Sequence, residues 1–99
     1  MYVNFKNSAH CVSSFALEWN GGETDRTKEV KEGDTATIDL SNYAKLADGT
    51  SCWARAYVVA GTNHDSEDNF NYDLHSQLTA YYELVGSAAH PRFKFNGIH

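Results

Sequence analysis

Basic residues are scarce in this chain: eight Lys and Arg stand against thirteen Asp and Glu, a formal net charge of −5 over 99 residues. A surplus of that sign repels a phosphate backbone, so nucleic acid is not an expected partner. Proline occurs once. With seven glycines and 13% aromatics, the composition fits neither a disordered linker nor a collagen-like chain. Long apolar runs are missing too. The stretch from Ala54 to His64 is nearly free of charge, yet it contains Arg55 and has about half of the roughly 20 apolar residues a spanning helix needs. No transmembrane segment is expected. The opening Met1-Tyr2-Val3-Asn4-Phe5-Lys6-Asn7 lacks the apolar stretch of a secretory leader, and no Asn-x-Ser/Thr acceptor occurs. The expectation from these absences is a cytoplasmic protein, or a secreted one whose leader has been removed.

Cysteine is nearly absent as well. Cys11 and Cys52 are too few for a disulfide scaffold, and with no CxxC and no His close behind either one, zinc-finger and thioredoxin-like chemistry have no footing. Two readings stay open for the pair. They join in a disulfide contributing about 3–4 kcal/mol in an oxidising compartment, or they are two buried thiols acting as small hydrophobes.

What the chain does have is alternation. Cys11, Phe15, Leu17 and Trp19 share one face of an extended segment, with Ser14, Ala16 and Glu18 on the other. Asn20-Gly21-Gly22 then supplies a turn, and the polar stretch Glu23 to Lys31 reads as an edge strand. Glu32-Gly33-Asp34 turns the chain into Thr35 to Leu40, which points Ala36, Ile38 and Leu40 inward and would complete a hairpin. Ser41 to Leu46 has room for one helical turn capped by Ser41. The most apolar segment, Cys52 to Ala60, reads as a central strand. Strands around Phe70 to Leu74, Leu78 to Val85 and Arg92 to Phe95, with Val3 and Phe5 at the start, bring the count to about seven to eight. Short strands at this spacing, with turns between them and no helical period, predict one all-β domain over residues 1–99, a small antiparallel β-sandwich.

The candidate sites are polar loops and aromatics. From Asn63 to Asn71 the sequence reads as an acidic loop whose Asp65, Glu67 and Asn69 place oxygen donors at alternate positions, the chemistry calcium prefers. An EF-hand is excluded, because a loop starting at Asp65 would need Gly and Glu where Phe70 and Ser76 stand. Calcium is therefore the one cofactor the donors suit, and a solvated loop carrying charge for solubility is the alternative. Together with His64, Asp68 and Tyr72, the same stretch offers hydrogen-bonding groups for a polar ligand. The five histidines show no metal-binding spacing. His10 and Cys11 are strand neighbours pointing to opposite faces, so they form no catalytic pair. Glu18 and Glu83 are carboxylates of the sort that flank a glycosidic bond, but such pairs occur in almost any β-rich chain. No enzyme is expected.

Trp53, Arg55 and Tyr57 occupy one face of the central strand, opposite Ala54, Ala56 and Ala60. If the small residues pack inward, the aromatics form a platform suited to the C–H face of a sugar ring. If the aromatics are core, Arg55 must pair or snorkel outward. The functional expectation is a carbohydrate-binding protein, a small lectin that would gain avidity as a homo-oligomer. The alternatives are a protein-interaction or inhibitor module using a sheet edge, and a membrane-binding β-protein.

Overall fold

The computed structural model describes Met1–His99 as two four-stranded sheets packed face to face. The first contains β1 (Tyr2–Asn7), β4 (Thr35–Asp39), β7 (Thr79–Gly86) and β8 (Pro91–Ile98), in the order β4-β1-β7-β8. The second contains β2 (Ser13–Trp19), β3 (Gly22–Glu23), β5 (Ser51–Val58) and β6 (His64–Asn71), in the order β3-β2-β5-β6. The all-β sandwich of eight short strands is thus as expected. One pair departs from antiparallel: β1 lies parallel to β7, Val3 opposite Ala80 and Phe5 opposite Tyr82. Parallel neighbours need a long crossover. Here β2 to β6 supply it, building the second sheet and the β4 edge on the way.

The core lies between the sheets. Val3, Phe5, Phe15, Leu17, Ala54, Ala56, Tyr82 and Leu84 are buried, each from the inward-facing set of its strand. Phe5 of one sheet stacks on Phe15 of the other, with centroids 5.0 Å apart and rings 7° from parallel. Cys11 and Cys52 are both free thiols, so the disulfide reading falls. Burial pushes the Cys52 thiol up to about 11. At mildly alkaline pH its thiolate population is then about 100-fold below that of an ordinary thiol, since each pKa unit is a factor of ten. With iodoacetamide, Cys11, which is only partly buried, is expected to alkylate in the folded protein and Cys52 only after unfolding. Equal rates by mass spectrometry would contradict that burial.

Three local expectations need correction. Glu23 to Lys31 is not a strand beyond β3, although it does line the edge of β2. Thr24, Thr27 and Val30 each return to it, their N–H groups donating to Leu17, Phe15 and Ser13 carbonyls at 2.9, 2.8 and 2.8 Å. The Thr24 and Thr27 hydroxyls accept from Leu17 and Phe15 N–H at 3.0 Å each. Side-chain oxygens thus replace the missing ladder, which satisfies the edge without extended backbone. For the same reason the turn at residues 32–34 closes no hairpin: β4 leaves this sheet and pairs with β1, Ile38 opposite Val3. The helical turn is a 3-10 turn at Leu40–Asn42, capped by Asp39 rather than Ser41, because the Asp39 carboxylate accepts from the Ser41 N–H at 3.0 Å.

A fourth correction concerns the acidic loop, which is strand β6. Residues such as Asp, Glu and Asn are depleted in strands, but β6 is a sheet edge, where charge deters further pairing. A bulge lets the polar run fit. Asn69 faces Trp53 and Asp65 faces Arg55, so β6 spends four residues where β5 spends two, leaving Ser66 and Phe70 inward and buried.

Candidate functional site

The strand register brings together side chains that lie far apart in the chain. On β5, Cys52, Ala54, Ala56 and Val58 are buried and Trp53, Arg55 and Tyr57 are half-buried on the outer face. Small residues fit beneath the stacked phenylalanines of the core, whereas two large rings and a guanidinium would not. That settles the two readings of this strand. β2 adds Glu18 opposite Trp53, and β6 adds Asp65 opposite Arg55 and Asn69 opposite Trp53.

The polar groups of this face hold one another. Arg55 Nη1 donates to Asp65 Oδ1 at 2.9 Å and stands 3.9 Å from Glu18 Oε1. Trp53 Nε1 donates to Glu18 Oε1 at 3.3 Å, and the Tyr57 hydroxyl to Glu23 Oε2 at 2.6 Å. Arg26 lies 3.6 Å above the Tyr57 ring and Arg55 5.0 Å from it, so the ring is flanked by two cations. Asn69 donates to Ser51 at 3.2 Å. The result is a platform with Trp53 in the middle and two carboxylates, a guanidinium and an amide around it.

Burial raises the Glu18 carboxyl above its ordinary range, and the nearby Asp65 raises it further, against the opposing pull of Arg55. A carboxyl raised in the folded state binds more protons there than in the unfolded chain, so stability falls as pH climbs through the carboxylate range. Glu18→Gln is expected to flatten that decline while leaving an oxygen for the indole N–H. Thermal unfolding from pH 4 to 7 checks it, and an unchanged slope would mean Glu18 is not the responsible group.

The other expected site residues are scattered. Asn63 is a turn residue, its Oδ1 accepting from Val58 N–H at 3.0 Å. His64 packs against Phe93, centroids 6.2 Å apart. Asp68 sits in the bulge, its carbonyl accepting from the Tyr82 hydroxyl at 2.8 Å. Asn71 is exposed opposite Ser51. Tyr72 is 2% exposed and belongs to the core, so it offers no ligand a ring. The three proposed metal donors do not converge. Asp65 and Asn69 keep the outer face, while Glu67 joins His64 and Asp68 at the gap toward Arg92 and Phe93. No group of three or more His, Cys, Asp or Glu stands close enough to hold a metal ion. The alternating oxygens would share a face only on a regular strand, and the bulge takes Glu67, which lies between Asp65 and Asn69, out of the ladder. Missed from the sequence were Glu18 as a partner of Trp53, and Glu23 and Arg26 as partners of Tyr57. No spacing signals them, since they come from other segments.

No protein-family pattern and no curated protein sequence matches the chain. Among solved structures, its fold is similar to part of listeriolysin O, with 16% identity and a TM-score of 0.52 over 96% of this chain and 22% of that one. A Gram-negative toxin matches at 14% identity and a TM-score of 0.52, again over 96% of this chain and 22% of the other. Wild-type pneumolysin matches at 10% identity and a TM-score of 0.53, over 96% and 22%. At these identities the likeness is one of fold alone, and the chain spans less than a quarter of each toxin's length.

Proposed function

We propose that this chain is a non-catalytic carbohydrate-binding module whose site is the outer face of the β2-β5-β6 sheet. The observation that carries the reading is the half-buried Trp53 ringed by Glu18, Arg55, Asp65 and Asn69. A sugar needs an apolar surface for its C–H face and fixed donors and acceptors for its hydroxyls. The ion pair and the indole hydrogen bond hold those groups in place before a ligand arrives, which lowers the ordering cost of binding. A glycan array, probed with and without calcium, tests the reading. Binding by the wild type, reduced at least tenfold by Trp53→Ala with the circular dichroism spectrum unchanged, is the expected result. Undiminished binding by that variant would remove the site from this face.

A second reading, a membrane-binding module, is favoured by exposed apolar side chains near the start of β7 and the end of β8. Leu74, Leu78 and Ile98 are 54%, 49% and 39% exposed. The fold likeness to toxins is compatible with that role. Net negative charge makes zwitterionic lipid the fitting target, and flotation with phosphatidylcholine vesicles separates the two readings, because only this one requires co-migration.

A further inference from the structure

A different groove lies where the open side of the sandwich meets the 3-10 turn. It encloses about 400 Å³ between Trp19, Gly22 and Glu23 on one side and Asn42, Tyr43 and Lys45 on the other. On the far side of Tyr43 it adjoins a second depression of about 380 Å³, lined by Arg26 and by Ala36 to Asp39 of the edge strand β4. Either volume lies within the range of small-ligand sites.

The aromatic wall of the groove is held in place. A Cβ on Gly22 would come within 2.9 Å of three indole atoms of Trp19, so the indole rests against bare backbone. Tyr43 meets the same ring edge-on, centroids 6.5 Å apart at 68°, and is itself fixed because its hydroxyl accepts from the Asp25 N–H at 3.1 Å. The indole is therefore pre-set, half-buried against the core with its remaining surface lining the groove. The polar groups beside it differ from those around Trp53. Trp53 donates its N–H to Glu18, whereas the Trp19 N–H, the Asn42 amide and the Lys45 ammonium make no hydrogen bond within the chain, and Asn42 and Lys45 are exposed residues at the groove. Charge around the two adjoining depressions balances, Arg26, Lys28 and Lys45 against Glu23, Asp25 and Asp39. An ionic ligand would gain no net attraction there. A neutral polyhydroxyl ring would match the stacking surface and the unpaired donors.

We infer that the Trp19–Tyr43 groove is a second saccharide site, taking a neutral pyranose ring against Trp19 with Asn42 and Lys45 donating to its hydroxyls. It rests on the carbohydrate-binding reading for ligand class; Glu23 and Arg26 border both sites, but Trp19, Asn42 and Lys45 belong to the groove alone. Trp19 comes from the end of β2 and Trp53 from β5, so the two tryptophans report on the two sites separately. Gly22 acts as a positioning residue by leaving room for the indole.

The test is a nitrogen–proton chemical-shift titration of the full chain with methyl glycosides of glucose, galactose and mannose, read beside tryptophan fluorescence of Trp19→Phe and Trp53→Phe. The inference expects amide shifts at residues 19–23 and 42–45 in addition to those of the outer face, with a fluorescence response that survives in Trp53→Phe and falls in Trp19→Phe to what Trp53 alone reports. Gly22→Ala, which displaces the indole while leaving the hydroxyl-binding groups, is expected to weaken the response at least tenfold. Shifts confined to residues 53, 65 and 69 would overturn the second site and leave the outer face standing. Shifts confined to the groove would do the reverse. No shift with any of the three glycosides would overturn the groove as a neutral-pyranose site, and a blank glycan array would separately remove the outer face.

Discussion

Phe15→Ala is expected to cost about 4 kcal/mol, within the range for removing a buried phenylalanine, and to lower Tm by about 20 °C in a domain of this size. The ring is fully buried and bridges the sheets, stacking on Phe5 at 5.0 Å and meeting Phe93 at 6.1 Å. Across its own sheet it faces Ala56, which has no atoms with which to fill the space left behind. The cavity therefore stays, and its cost adds to that of the lost apolar burial. Since small domains are stable by about 5–15 kcal/mol, much of the margin disappears. Phe15→Leu keeps most of the volume and is expected to lose about 1.5 kcal/mol. Urea unfolding of both variants measures the difference. A loss below about 1 kcal/mol for Phe15→Ala would show that the sheets do not depend on this contact.

Asn7→Ala is the second large effect, about 3 kcal/mol, for an electrostatic reason rather than a volumetric one. Asn7 is fully buried at the end of β1, where the strand pattern calls for an apolar residue. Its Nδ2 donates to the Cys11 carbonyl at 2.8 Å and the Val30 carbonyl at 2.9 Å, and its Oδ1 accepts from the Ala9 N–H at 3.0 Å. One side chain thus ties β1 to the strap that lines the edge of β2. Alanine leaves buried backbone groups without partners, each costing more than a hydrogen bond contributes. Asn7→Asp should be worse at neutral pH, because a carboxylate would face two carbonyl oxygens. It would bind a proton more tightly folded than unfolded, so part of the loss should return as pH falls. Thermal unfolding at pH 7 and pH 4.5 tests that order. If Asn7→Asp proved the more stable of the two at pH 7, the assigned amide orientation would be wrong.

The strands easiest to read from sequence were those with one greasy and one polar face. β2, β4, β5 and β7 follow the period of two, and the residues read as inward on the β4 segment, Ala36, Ile38 and Leu40, face the core. β6 was hidden because Asp68, at the inward-parity position between buried Ser66 and Phe70, is exposed in the bulge, and because acidic residues suit an edge as well as they suit a loop. The strap after β3 failed in the opposite direction. Its threonines favour strand, but they serve the ladder through hydroxyls instead of through extended backbone.

The candidate site divides along the same line. That Trp53, Arg55 and Tyr57 share a face was determined by their spacing alone, because successive side chains on a strand alternate. Their approach to Glu18, Asp65, Glu23 and Arg26 came from register, and register depends on which strands pair, a matter of long-range packing that a local period does not encode. The direction of that face was likewise undecided. Both faces of β5 carry apolar residues, and only the space left beneath Phe5 and Phe15 made the alanines the inner set. Composition and the period of two dictate an all-β chain with a net negative charge and the alternation that builds two sheets. The parallel β1–β7 pair, the free thiols, the ion pair beside Trp53 and the Trp19–Tyr43 groove depend instead on the closing of the sandwich, because that closing, and not their neighbours in the chain, sets which residues meet.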